Sequence, residues 1–400
     1  MVSVRKEKIS AISQAPAESV VLVLQGSAPE AHPGIIDGYE QLHRQGIVSE
    51  ISVFPVFGPQ GVVRGEAFWG DVIRQANEQA ASLVVFQYYH SPALPDPRSA
   101  MQKLHRLASR PFLVSTLGDA FMNGYFGGPS IPQSFLQAAA ESDLVTLTSM
   151  GALAKQVSQH TTAPIMLSPN GACQVRFGSA LERMDDSEKE FDVAFVGSRN
   201  MSRNPFRPYH WFGKRRTQLV ERLSRRFGKR FAVYGNGWDH FPSARGSVPF
   251  AQQANAVRSA RVVVGGIPFS QERYYTSNRP FIQMTSGVPI VDVCVPGVEM
   301  LLKDRVHWVL SAEKGLMDTI EEVLAWTPEE RTAMGQTAAD YVLDRHTQAH
   351  RVATLIENVR RLRTWRDEGT SVSPYLPFFH NDVAVDAEIP GATRNWPDID

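Results

Sequence analysis

The sequence predicts an α/β protein built from two doubly wound domains, and three observations carry that expectation. Short apolar strands alternate with amphipathic helical stretches through most of the chain. The strands are near-continuous in Val, Leu, Ile and Phe, as strands covered by helices on both faces are. The alternation pauses at one polar, acidic segment, SALERMDDSEKEF at 179–191, and then restarts. This is the βαβ rhythm of a parallel sheet, twice over.

In the first half the predicted strands are VVLVL (20–24), EISVFPV (50–56), SLVVFQ (82–87), PFLVST (111–116), LVTLT (144–148) and APIMLS (163–168). Helical stretches between them include IIDGYEQLHRQG (35–46), GEAFWGDVIRQANEQA (65–80) and PQSFLQAAAES (132–142). After the acidic segment come FDVAFVGS (191–198), FAVYGNG (231–237), ARVVVGG (260–266), VPIVDV (288–293) and VHWVLS (306–311). A long helical stretch, 328–363, is expected to close the second domain. The expected division is an N-terminal extension 1–18, a Rossmann-like domain 19–172, a linker 173–190, a second Rossmann-like domain 191–363, and a tail 364–400. The tail, rich in Pro, Gly and Asp, reads as irregular, packed back through Tyr375, Phe378 and Phe379 if at all.

Composition narrows the function classes. The 400 residues are 43% hydrophobic and 20% charged, ordinary for a soluble globular protein. A formal net charge of +0 leaves no global field to attract nucleic acid or an anionic membrane. Cys173 and Cys294 lie far apart and lack metal-ligand spacing, which argues against a disulfide framework and fits a reducing cytoplasm. The opening MVSVRKEKISAISQAPAES has no apolar signal-peptide core, and no apolar run approaches the ~18 residues of a spanning helix. A cytoplasmic location is therefore expected. There is no G-x-S-x-G, P-loop, H-E-x-x-H or C-x-x-C, and no D-x-D after a strand to hold a metal–nucleotide pair. No metal is expected. LQGSAPEAHPG (24–34) has glycines, but not at the spacing of a dinucleotide fingerprint, which sets nicotinamide redox chemistry aside.

Ligands of open α/β sheets sit at the carboxyl ends of strands, so the loops there carry the candidates. After Val196, Gly197-Ser198 reads as a tight turn whose N–H groups would face a phosphate, with Arg199 or Arg203 to neutralise it. After Tyr234, Gly235-Asn236-Gly237-Trp238 lets backbone approach a ligand, or is a plain turn with Trp238 as a packing residue. Ser277-Asn278-Arg279 opens a short helix with hydroxyl, amide and guanidinium donors; the alternative for Arg279 is a surface pair with a carboxylate. In the first half, His90 and Asp119 follow strand ends and suit a cleft that handles a sugar hydroxyl or a leaving group; a structural role is the equal alternative for each. Gly26 and Tyr89 neighbour the same strand ends and are candidate acceptor contacts.

The ordered series FDVAFVGS, FAVYGNGWD, TSNRPFIQMTSGVPIVDVCVPGVEMLL and VLDRHTQAHRV resembles the spore-protein CgeB-like glycosyltransferases, a branch of the GT-B superfamily, over roughly 191–360. SPNGACQ (168–174) looks like the Pro-Asn-Gly linker element of family-4-type glycosyltransferases (group 1), and VVFQYYHS and STLGDAF look like strand ends that face the sugar. The resemblance implies a GT-B fold of two Rossmann-like domains facing a cleft, a nucleotide-diphosphate sugar (in the first place a UDP-sugar) on the second, an acceptor on the first, and no metal or other cofactor. It makes Gly197, Ser198, Arg199, Arg203, Gly235, Asn236, Gly237, Trp238, Ser277, Asn278, Arg279 and Gln283 donor contacts. His90 would touch the donor sugar, and Asp119 would be the acceptor-side base or orienting group. Retaining relatives carry a Glu five residues before Gly287 to hold the ribose. Here that residue is Ile282, with Gln283 beside it as a neutral substitute and Glu272 the nearest preceding acid.

Between Arg199 and Arg230 stand eleven Arg or Lys and one acid, Glu221, interleaved with Phe206, Tyr209, His210, Trp211 and Phe212. One reading is a solvated basic helix face. The other uses Arg207 and Trp211 as acceptor contacts, and extends to nucleic-acid phosphates and a flipped, hydroxymethylated base in DNA as acceptor. A small metabolite, a glycan or a protein acceptor is the equal alternative. Two rival functions stand beside transfer: an inactive nucleotide-sugar or glycan-binding protein, favoured by Ile282, and an epimerase on the same fold.

Overall fold

The computed structural model describes residues 16–58, 60–65, 67–119, 121, 124, 129–178, 181, 184–266, 272–372, 374–376, 379–380 and 383–384. Two units separate: one is Met1–Ala120, Ile131–Pro169 and Gln348–Asp400, the other Phe121–Ser130 and Asn170–Thr347.

The first unit is built on parallel strands β1 (Glu18–Leu24), β2 (Val48–Pro55), β3 (Leu83–Gln87), β4 (Phe112–Thr116), β5 (Leu144–Leu147) and β6 (Ile165–Leu167). Each overlaps a run predicted from its apolar content. Val20 to Leu24 and Leu83 to Phe86 are inaccessible, because helices cover both faces. The helices Pro33–Arg44, Ala67–Glu78, Arg98–His105 and Gln133–Ala140 fall within or beside the predicted helical stretches or the connections between strands.

In the second unit, β7 (Phe191–Val196), β8 (Phe231–Tyr234), β9 (Ala260–Val264), β10 (Ile290–Val293) and β11 (Val309–Ser311) form a parallel sheet in the order β11-β10-β9-β7-β8. Val193, Phe195, Val233, Val262 and Val291 fill its core with Val220 and Leu223 of the helix Pro208–Phe227. The acidic segment before β7 is docked onto this unit. Arg261 binds Asp186 at 2.9 Å and Asp192 at 2.8 Å, and the buried Arg331 reaches Asp186 at 3.1 Å.

Two boundaries differ from expectation. The helical stretch 328–363 is two helices, Pro328–Arg345 and Gln348–Asp367, and the second belongs to the first unit. Its Val352, Leu355, Ile356, Val359 and Leu362 enter the core formed by Val20, Leu22, Tyr39 and Leu83. Arg363 holds Glu18 of β1 through both carboxylate oxygens at 2.8 Å. Burial alone would raise the Glu18 pKa, but Arg363, Ser82 and Arg360 outweigh it and hold the carboxylate below its ordinary range. The tail is not wholly irregular either. Tyr375–Leu376 forms β12, parallel to β6, and the described strands of the first sheet run β12-β6-β5-β4-β3-β1-β2. Periodicity locates a helix without saying which sheet its apolar face will cover, hence the misplaced boundary. Residues 1–15, Phe378 and 385–400 lie outside the described residues.

Ile356→Ala should therefore cost about 2–5 kcal/mol, the range for truncating a buried Ile. Amide exchange should accelerate in β1 and β3 while β7 and β9 keep their protection. Equal loss in both sheets would contradict the placement of this helix in the first core.

Candidate functional site

Strand order in the second sheet reverses between β7 and β9, and crevices at such reversals, outside the carboxyl ends, are where open α/β sheets take ligands. The loop after β7 is laced to the loop after β8. Arg199 N–H donates to Asn236 O at 2.9 Å, and Asn236 N–H to Ser198 Oγ at 3.2 Å. Gly235 has φ 138°, and a Cβ there would lie 2.6 Å from Gly197 O, so only glycine lets the two turns approach this closely. Gly237, at φ 85°, lies against Arg199 Cβ.

Two guanidinium groups converge on this crevice. Arg216, projecting from the helix Pro208–Phe227, donates through Nη1 to Ser198 O at 2.7 Å and through Nη2 to Gly266 O at 3.4 Å. Arg279 donates through Nη1 to the same Gly266 O at 3.0 Å, and its guanidinium carbon lies 3.7 Å from where a Gly197 Cβ would stand. Burial and the neighbouring Arg279 push the Arg216 pKa down to about 10, so it remains a cation at pH 7 in a place that disfavours cations. Both guanidiniums keep their charge beside one carbonyl, chemistry that suits an anion such as phosphate. Ser277 caps the helix Asn278–Met284, its Oγ accepting from Arg279 N–H. The helix has only seven residues, so the guanidiniums rather than a macrodipole supply the field. Gly197, Ser198, Arg199, Gly235, Asn236, Gly237, Ser277, Asn278 and Arg279 thus lie on the loops and helix start that border the crevice, while Arg203 stands exposed further along the β7 loop.

The structure corrects two donor candidates and adds one residue. Trp238 is fully buried; its indole N–H donates to Gly197 O at 2.7 Å and its rings join the core, so it braces the loop from behind rather than touching a ligand. Gln283 is likewise fully buried, with no hydrogen-bond partner among the described residues for either side-chain polar atom, and so has no face toward a ribose. Ile282 packs with Cys173, Phe177 and Ala254, an apolar cluster that would penalise a carboxylate at that position. The addition is Arg216. The sequence places it among the charges of a basic helix, and no periodicity signal distinguishes the one that turns inward. Asp292 carries no signal in the sequence that sets it apart from the strand around it. It is buried at the end of β10, with its carboxylate filling the space beside Gly265.

The rest of the basic run disperses. Arg230 pairs with Asp192 at 2.7 Å, Arg226 with Glu321 at 2.5 Å and Arg215 with Glu313 at 3.9 Å. Arg199 is turned to Thr217 Oγ1 at 3.0 Å. Arg207 precedes the helix Pro208–Phe227, and Trp211 lies in its first turn, half exposed.

The first unit has its own reversal, between β1 and β3. Gln25 N–H donates to Gln87 O at 3.1 Å, and Gln25 Oε1 accepts from His90 N–H at 3.0 Å. His32 donates through Nε2 to Gln25 O at 2.9 Å, and its ring lies 5.2 Å from that of Tyr88. Tyr88 takes φ 58°, an uncommon conformation for an aromatic residue, and its ring is 5.9 Å from that of His90. Gly118 accommodates both, since a Cβ there would lie 2.6 Å from the Tyr88 ring and 3.3 Å from His90 Nε2. Asp119 follows directly and is exposed. Gly26 sits in the same β1 loop, its carbonyl accepting from Phe57 N–H at 3.0 Å. Tyr89, expected to meet the acceptor, is instead buried in the core with its hydroxyl donating to Pro95 O at 2.8 Å. It is Tyr88, the residue before it, whose ring lies beside those of His32 and His90.

The HepE protein of Anabaena, solved with UDP, superposes with a TM-score of 0.52 at 13% identity, covering 86% of this chain and 100% of that one. A Rickettsia africae glycosyltransferase gives 0.56 at 11% identity, covering 87% and 99%. The architecture is the GT-B fold. An α,α-trehalose 6-phosphate synthase of Burkholderia multivorans gives 0.52 at 10% identity, covering 88% and 100%. Residues 215–357 match the family model described as "Glycosyl transferase-like". That stretch of the GT-B chain contains Arg216, the β8 turn and the Ser277–Arg279 segment, but not the β7 loop. No curated protein sequence matches the chain.

His90 and His307 allow a pH prediction. Burial pushes each down to about 4 from the ordinary 6.5, with His32 and Lys303 respectively adding to the effect. Both are neutral when folded, while the unfolded chain takes up protons below pH 6.5. Their contribution is intact above that pH and is lost progressively down to about 4. Melting temperature should fall across this window, and less steeply in His90→Gln and in His307→Gln. Parallel curves for all three proteins would assign the fall to other groups.

Proposed function

We propose that the chain is a glycosyltransferase that binds a nucleotide-diphosphate sugar, in the first place a UDP-sugar, in its second unit and transfers the sugar to an acceptor hydroxyl. The observation that carries this is the meeting of Arg216 and Arg279 on one carbonyl, Gly266 O, at the reversal point of the sheet. The diphosphate would lie over Gly197-Ser198 and Gly266, between the two guanidiniums. As the bond from the sugar to the β-phosphate oxygen breaks, negative charge grows on the departing diphosphate, and two fixed cations stabilise that charge more than the ground state. The UDP held by HepE and the matching glycosyltransferase-like segment support this reading.

Ribose recognition in this scheme does not use position 282 or Gln283. Backbone groups of the β8 turn, Gly235 to Gly237, are the alternative contacts. In the first unit, neutral His90 suits hydrogen bonding to a sugar hydroxyl, and exposed Asp119 suits orienting or deprotonating an acceptor. No step needs a metal ion in this scheme. The pairing of Arg215, Arg226 and Arg230 with carboxylates favours a small metabolite or glycan as acceptor over a base in DNA. A second reading, a sugar-nucleotide binder without turnover, draws support from Ile282 in its apolar cluster.

Calorimetric titration with UDP, GDP and TDP, followed by a hydrolysis assay on the corresponding sugars, separates these readings. Binding with turnover is expected, and binding without turnover would select the inactive binder. Neither binding nor a rise in melting temperature with any nucleotide would sink the proposal. Arg216→Met and Arg279→Ala should each weaken UDP binding at least tenfold, from loss of charge-assisted hydrogen bonds typically worth about 1.5–3 kcal/mol. UMP, lacking the second phosphate, should respond much less to either substitution.

A further inference from the structure

The chain that leaves β7 has a second property, apart from the placement of Arg216. From Arg199 to Val220 it contains six Arg or Lys and no acid. Within it, three large apolar side chains face solvent: Phe206 at 59% exposure, Trp211 at 50% and Met201 at 44%. Isolated exposed apolar residues are commonplace; three on one short, acid-free segment are not.

The exposure is built into the fold. Asn204 Oδ1 accepts from Phe206 N–H at 2.9 Å, and Pro205 O accepts from the Trp211 indole N–H at 2.8 Å. His210 Nδ1 donates to Ser202 O at 2.9 Å. At Gly213 an added Cβ would fall 2.4 Å from Met201 Cβ, so glycine allows the loop to press onto the helix. The Lys214 ammonium stands over the Trp211 ring, 5.4 Å from its centroid. The indole has its hydrogen bond satisfied internally and shows its apolar edge outward beside cations.

We infer that this knob, Phe206 and Trp211 with Arg203 and Lys214, is an interfacial anchor that seats the second unit on an anionic lipid bilayer. Aromatic side chains settle at the headgroup level while Lys and Arg meet lipid phosphates, a pairing characteristic of proteins that lie on membranes rather than cross them. None of the helices among the described residues is long and apolar enough to cross. Charge complementarity selects the occupant. A second copy of this chain has net charge +0 and offers no general attraction, whereas an anionic leaflet attracts every cation of the knob at once. Nucleic acid fits less well. The basic residues that would extend the track, Arg215, Arg226 and Arg230, are paired with carboxylates, and Lys214 occupies a position over the Trp211 ring where a base would stack.

The test is sedimentation of the full chain with vesicles of phosphatidylglycerol and phosphatidylcholine in equal parts, or of phosphatidylcholine alone. Binding to the anionic vesicles only is expected, falling as salt rises. Phe206→Ser/Trp211→Ser should lower the affinity at least tenfold with an unchanged melting temperature, because both side chains are exposed. Lys214→Glu should also weaken it. The inference is overturned by absence of binding to anionic vesicles, or by binding that the double variant leaves intact. It is equally overturned if the knob proves to hold another occupant: a DNA duplex bound through it, or a self-association that the double variant abolishes, with no vesicle binding in either case.

Discussion

Arg216 reaches from the middle of a long helix to the carbonyl oxygens of Ser198 and Gly266, and so ties the ends of β7 and β9 at the point where strand order reverses. The arrangement of the second unit's loops depends on accommodating that half-buried cation. Phe195 of β7 lies beneath it, Trp238 fastens the β7 turn from below, and Gly235 lets the β8 turn come within contact distance. Arg279 adds a second positive charge to the same carbonyl. Two guanidiniums sharing one carbonyl acceptor form an arrangement suited to a multivalent anion.

The first unit applies the same topology to different chemistry. Its reversal point gathers Gln25, His32, Tyr88 and His90, groups that make directional hydrogen bonds and stacking contacts rather than a field of charge. Burial keeps His90 neutral, and Tyr88 accepts an uncommon backbone conformation to place its ring beside both histidines. One unit thus presents cations suited to phosphate, and the other presents neutral polar groups suited to hydroxyls.

Much of the fold, and the turns that border the second unit's crevice, is legible along the chain. Eleven apolar runs became eleven parallel strands, because a strand covered on both faces leaves a composition that needs no partner to be recognised. The glycine turns after β7 and β8 and the Ser277–Arg279 helix start were visible for a similar reason: tight turns and caps are local demands on residue type. The misplacements share one cause. The sequence puts Trp238 and Tyr89 just past strand ends and Gln283 on a short helix, where their chemistry suits a ligand, yet all three are buried. Arg216 was read as one of a solvated row, yet it turns inward.

Sequence by itself determined that there would be two parallel sheets, where their strands would run, and which loops would lie at their carboxyl ends. These follow from local composition and the two periodicities of the backbone. Tertiary structure alone decided that the helix Gln348–Asp367 belongs to the first core, that Ile282 faces an apolar cluster, and that Arg216 rather than Gln283 or Trp238 lines the crevice. Those outcomes depend on which face of an element is covered and by what, a choice made by packing between residues far apart in the chain.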